Sequence, residues 1–196
     1  MNKALIAVIA AFAVSVSASA QTTVIYRTDM SRGNQPYQTA ALLLANGWEA
    51  WFFGANDPKL LDIEIGRLYP VGKNFNIGGY GTYWPDSGKL FLIPWVSYND
   101  KLAGGDLSLN LGWYAPLNGG PRITFCDEST LLWHAKKFDY GLVLSHWHYQ
   151  GSMPTTRIGP TVRFNAGNVD VKINYQPVFL SGNGSPTWRL EITHRF

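Results

Sequence analysis

Along NVDVKINY, Val169, Val171, Ile173 and Tyr175 alternate with Asp170, Lys172 and Asn174. A period of two puts the apolar side chains on one face of an extended strand and the polar ones on the other. The pattern recurs. RIGPTVRF sets Ile158, Val162 and Phe164 against Arg157, Thr161 and Arg163, and LDIEIG sets Ile63 and Ile65 against Asp62 and Glu64. DLSLNLGW sets Leu107, Leu109, Leu111 and Trp113 against Asp106, Ser108 and Asn110. Turn chemistry separates the runs: GANDPK (54–59), YPVGKN (69–74), PDSGK (85–89), NDKLAGG (99–105), PLNGGP (116–121), QGSMPTT (150–156), NAGN (165–168) and SGNGSP (181–186). Gly and Asn supply positive φ there, and Pro presets φ.

Between the turns the pattern predicts about ten strands. They fall near 47–54, 60–69, 75–84, 89–98, 106–114, 121–132, 138–149, 156–164, 168–178 and 187–196. CDEST interrupts the sixth. TAALLLAN (39–46) alternates poorly and is compatible with a short helix or with the start of a strand. No internal repeat of fixed length is present. The reading is one β domain.

Alternation does not say which face is the core. A soluble sandwich buries its apolar parity, whereas a transmembrane barrel turns that parity to lipid and lines a lumen with the polar one. The runs are long, and a spanning strand needs about 9–11 residues. Aromatic residues gather at run ends, as at Trp51-Phe52-Phe53, Tyr83-Trp84, Trp95 with Tyr98, Trp113-Tyr114, Trp147 with Tyr149, and Trp188. Such placement matches the Trp and Tyr girdles of a barrel. The expected fold is therefore all-β, an antiparallel up-and-down transmembrane β-barrel of 8–10 strands, with ten favoured.

Composition points the same way. Aromatic residues make up 14% and include eight Trp, while charged residues reach 15%, below the roughly 25% of an ordinary soluble domain. At the start, Lys3, the apolar run Ala4 to Val16 and the small-x-small stretch Ala18-Ser19-Ala20 have the form of a secretory signal peptide. Residues 1–20 are expected to be cleaved, leaving residues 21–196 as the barrel domain. The net charge of +3 is scattered without a basic cluster, which argues against a nucleic-acid partner. Cys126 is the only cysteine, so no intrachain disulfide is available.

The last ten residues, TWRLEITHRF, put Trp188, Leu190, Ile192 and Phe196 on one parity and Arg189, Glu191, Thr193 and Arg195 on the other. This end resembles the C-terminal strand of bacterial outer-membrane β-barrel proteins, which alternates apolar positions and closes on Phe. His194 stands where an aromatic or apolar residue is more usual. The resemblance implies residence in the cell outer membrane among its lipids, with both termini periplasmic. It also implies recognition of Trp188, Leu190, Ile192 and Phe196 by the barrel-assembly machinery during biogenesis.

The polar parity carries the candidate chemistry. Asp62, Glu64, Asp170 and Glu191 oppose Arg157, Arg163, Lys172, Arg189 and Arg195, and as lumen charges they nearly cancel. Such a set forms either a structural ionic plug or a polar conduit for small solutes. His146 and His148 lie two apart, on one strand face roughly 7 Å from each other. They are the catalytic candidates of an alternative reading, because SHWHYQGS is loosely similar to outer-membrane lipid A deacylases, where a wall His acts with a Ser two residues later. Here that position is His148, and Ser145 lies on the opposite face. A further alternative is a secreted soluble β-sandwich that binds glycans or a partner through its tryptophans. No metal site or cofactor is expected. The leading expectation is an integral outer-membrane protein with a structural or small-solute transport (porin-like) role. Deleting Phe196 is expected to lower the yield of membrane-assembled, heat-modifiable protein while sparing any activity of the folded fraction; equal yields contradict the assembly role.

Overall fold

The structure, a computed structural model, describes residues 22–31, 36–55, 62–180 and 185–196. The expected leader, residues 1–20, lies outside them. Thirteen extended segments follow in order: β1 (Thr22–Ser31), β2 (Tyr37–Leu44), β3 (Trp48–Ala55), β4 (Asp62–Val71), β5 (Phe75–Trp84), β6 (Lys89–Leu102), β7 (Gly105–Pro116), β8 (Ile123–His134), β9 (Phe138–Tyr149), β10 (Thr155–Ala166), β11 (Val169–Gln176), β12 (Val178–Leu180) and β13 (Thr187–Arg195). β11 and β12 are one strand of the wall broken at Pro177, since both pair with β10. Proline has no N–H to give a ladder, and Pro160 stands on β10 within the same gap. β11 also pairs with β13, and β13 pairs with β1. The sheet therefore closes on itself as an antiparallel barrel of twelve strands.

Twelve corrects the expectation of 8–10. The ten expected runs are all strands, and the two additional ones are β1 and β2. In β2, Thr39, Ala40, Ala41 and Leu42 are all buried. With both parities covered, no polar face remains to produce alternation. TAALLLAN is thus mostly strand, ending in a turn at 45–47. β1 carries Thr on both parities and sets Ile25 among the polar residues Thr23, Arg27 and Asp29, which blurs its period.

Closure runs along nine residue pairs, from Thr23 with Arg195 to Ser31 with Thr187. The Phe196 N–H donates to the Thr22 carbonyl at 2.9 Å, adding a bond beyond the strand end. In hydrocarbon an unpaired backbone group costs several kcal/mol, so a sheet without edges is the form that can span.

Parity assigns two faces. Outward stand Ile65, Ile77, Leu92, Leu111, Leu142 and Ile173, each more than a third exposed. This apolar surface suits lipid. Inward stand the polar parity and many rings. The run-end aromatics divide by parity rather than forming girdles alone. Tyr83, Trp113 and Trp188 are exposed outside, whereas Trp51, Phe53, Trp84, Trp95, Tyr114 and Trp147 line the interior. Two strand glycines make room for this inner wall. A Cβ on Gly66 would meet the Tyr80 ring at 2.3 Å, and one on Gly112 would meet Phe125 at 2.6 Å. A bare backbone there lets each ring lie flat against the neighbouring strand.

Candidate functional site: the barrel interior

The interior is organised by an irregularity in β8. Cys126 pairs with His146 and Ser129 with Leu144, so Asp127 and Glu128 together oppose the single residue Ser145. This is a β-bulge, and Glu128 takes a φ of +50°. That region is rare for a residue with a side chain and costs about 1–3 kcal/mol. The strain has a result: two consecutive carboxylates both point into the barrel, where strict alternation would turn one of them to lipid. Neighbouring strands hold the bulge. The Asn110 N–H donates to Ser129 Oγ at 2.9 Å, and Ser145 Oγ donates to Asp127 Oδ1 at 3.0 Å.

Cations converge on these carboxylates from the far wall. Lys172 Nζ lies 3.0 Å from Glu128 Oε2 and 3.0 Å from Glu191 Oε1. Arg189 reaches Glu128 Oε1 at 3.0 Å and Asp127 at 3.5 Å. Its Nε and Nη2 fork onto the Asp29 carboxylate. Arg27 Nη1 sits 3.7 Å from Glu128 and 3.8 Å from Asp127. Asn174 Nδ2 donates to Glu128 Oε1 at 3.2 Å. The cluster thus sets Arg27, Lys172 and Arg189 against Asp29, Asp127, Glu128 and Glu191. Each of these side chains retains no more than 16% of its exposure, so removing one partner leaves a charge poorly solvated.

The network divides the lumen in two. A cavity of about 670 Å³ lies toward the long-loop end, and one of about 660 Å³ lies toward the end that carries both termini. Asn110 and Glu128 line both. Facing the charged wall, β3 to β9 present rings. Tyr80 and Trp51 both donate to Glu49 Oε2, at 2.7 and 2.9 Å, and Tyr114 donates to Glu64 Oε1 at 2.6 Å. Trp147 stacks on Phe125 at 4.8 Å between centroids, with Trp95 5.2 Å from the same ring. The Arg27 guanidinium lies 6.0 Å from the ring centres of Trp51 and Phe53.

Each residue singled out in the sequence has a definite place. Asp62, Glu64, Arg157 and Arg189 line the loop-side cavity. Arg163, Asp170, Lys172 and Glu191 line the other. Of these, Lys172, Arg189 and Glu191 meet in the central network, while Arg163 pairs with Asp139 and Asp170 with Arg195. Arg157 Nε donates to the Ser185 carbonyl at 3.4 Å and has no carboxylate within salt-bridge distance among the described residues. Trp188, Leu190 and Ile192 stand outward, and Phe196 is exposed, with its ring edge-on to His194 at 4.2 Å. His146 and His148 also share the outward face. His146 Nδ1 is hydrogen-bonded with Thr156 Oγ1 at 2.7 Å. Ser145 is buried and turned inward to Asp127, so it does not meet the histidines as a nucleophile meets a base. Among the described residues no three His, Cys, Asp or Glu side chains group as metal donors. The sequence reading missed the central roles of Arg27, Asp29, Asp127 and Glu128. The signal for the last two was present, since CDEST breaks the alternation where the bulge falls.

A closed antiparallel barrel with an apolar exterior and a charged, divided interior is the architecture of a transmembrane β-barrel. Among solved structures, the chain is similar to the KdgM porin, at 12% identity and a TM-score of 0.61 over 89% of this chain and 99% of that one. The KdgM porin in complex with disordered oligogalacturonate gives 12% identity and a TM-score of 0.60 over the same shares. The NanC porin gives 10% and 0.56, over 88% of this chain and 100% of that one. No protein-family model matches the chain, and no curated protein matches it in sequence. At these identities the likeness establishes the fold, that of small outer-membrane porins. Replacing Glu128 with Gln is expected to lower unfolding stability by about 3 kcal/mol or more, measured by urea titration in bilayers. Adding Lys172→Met should recover part of the loss; an E128Q midpoint equal to wild type contradicts the network.

Proposed function

We propose that the protein is an outer-membrane channel for small polar solutes, with the ionic network of the bulge as its constriction. The observation that carries this reading is the meeting of the two cavities at shared residues, Asn110 and Glu128, with charged and hydrogen-bonding side chains on both sides. A barrel needing only to be filled is served by apolar side chains, which avoid the cost of bringing many ions out of water. Seven charged groups at one level suit a passage that keeps water and exchanges partners with a passing solute.

The termini would be periplasmic, as the resemblance of TWRLEITHRF implies. The connections 45–47, 72–74, 103–104, 135–137 and 167–168 are short and lie at that end. Short periplasmic turns and longer external loops are the usual arrangement. On this orientation the aromatic, loop-side cavity faces outward and receives solute first. Lipid contacts the outward apolar parity, and the assembly machinery would engage Phe196 at the periplasmic rim. Purified, refolded protein in planar bilayers is expected to give discrete conductance steps, enlarged in the Asp127→Ala/Glu128→Ala double variant. Folded protein inserted in the bilayer and silent in both forms would overturn the channel reading.

A further inference from the structure

We infer that the loop-side cavity binds a sugar ring that carries no carboxylate, either a neutral or an amino sugar. The inference deepens the channel reading and rests on it for the solute's passage. Its grounds are the walls of the cavity of about 670 Å³, a size usual for small-molecule sites.

One wall offers aromatic faces. Trp51, Trp84, Trp95 and Trp147 line the cavity and keep part of their surface open to it. The buried rings of Tyr80, Tyr114 and Phe125 back them. A pyranose presents one or both faces as C–H groups, which pack against a ring, while its hydroxyls project around the rim and each needs a donor or an acceptor. The side chains around these rings supply both. Glu49 and Glu64 are acceptors held in place by Tyr and Trp donors. On the donor side, Gln176 lines the cavity at 2% exposure, and its Nε2 has no hydrogen-bond partner among the described residues. The Nε of Arg27, 6% exposed, likewise makes no hydrogen bond and has the Asp29 carboxylate only at 3.9 Å. A buried donor left unmatched costs about 1–3 kcal/mol. A small rotation of either side chain would present its donor to a hydroxyl oxygen in the cavity and relieve that cost.

Charge decides the kind of sugar. The carboxylates of Asp29, Glu49, Asp62, Glu64, Asp127 and Glu128 line the cavity with the guanidinium groups of Arg27, Arg157 and Arg189, and Lys172, shared between Glu128 and Glu191, meets them from below. With Asp62 and Glu64, which share one strand face, set aside, and with Lys172 and its second partner Glu191 counted in, five carboxylates still oppose four cations. An acidic wall repels a sugar acid at close range and tolerates or attracts a neutral or protonated amino sugar. In this the cavity differs from what the similar KdgM porin suggests, because its complex holds oligogalacturonate, a polyanion. Arg27 itself shows that the rings accept a cation, lying over Trp51 and Phe53.

The test is a titration of the refolded full chain with glucose, glucosamine and galacturonate, followed by tryptophan fluorescence. A saturable change with glucose, glucosamine or both is expected, at concentrations at least roughly tenfold below any galacturonate response. A response to one of the two assigns the neutral or the amino form. Gln176→Leu should weaken the response roughly five- to tenfold, and Trp147→Leu should reduce both its amplitude and its affinity. Heat-modifiable gel mobility checks that each variant is folded. No saturable response of wild-type protein to either non-acidic sugar overturns the inference, as does galacturonate binding equally well. Sugar binding without conductance retires the channel reading and keeps the site; conductance without sugar binding does the reverse.

Discussion

Everything inside this barrel depends on the pairing of Asp127 and Glu128 with Arg27, Lys172 and Arg189. Opposite charges a few ångströms apart in a poorly solvated interior attract strongly, and each is costly to leave alone. The pairing joins strands that are remote around the wall: β8 on one side, and β1, β11 and β13 on the other. It also explains why a Glu is tolerated at positive φ. Straightening β8 would send one carboxylate into lipid, a larger penalty than the local backbone strain.

That arrangement sits within a frame imposed by the membrane. Closure of β13 on β1 satisfies the backbone, and the apolar parity satisfies the lipid. The polar parity is then free to differ around the circumference. One arc, from β10 through β13 to β1, carries fixed charge. The other, from β3 to β9, carries rings, two of them seated against strand glycines, together with the carboxylates of Glu49, Glu64, Asp127 and Glu128. On the channel reading, a solute entering the lumen would meet apolar faces and charge together, a combination that suits molecules with both kinds of surface.

Much of this was legible in the chain. NVDVKINY and TWRLEITHRF already place Asp170, Lys172, Arg189 and Glu191 on one face, because a period of two carries face information directly. Two kinds of feature escaped. β2 is buried on both sides, so Ala40, Ala41 and Leu42 erase the alternation that would have marked a strand. The inner tryptophans escaped because an aromatic at the end of a run fits a girdle and a lumen wall equally well; only strand register separates Trp113, outside, from Tyr114, inside. The bulge is the instructive case. CDEST looked like a failing strand, and the failure of the pattern was the site itself, where a local rule is broken to aim two charges one way.

The central claim is that the two cavities form one path through the constriction. Asn110 lines both, so a thiol there should be reachable from either side. The direct measurement is labelling of Asn110→Cys, in a Cys126→Ser background, by a charged thiosulfonate reagent added to one chamber of a bilayer at a time. The account predicts modification from both chambers, with a stepwise fall in current. Labelling from one chamber only, or from neither, in folded protein would contradict it.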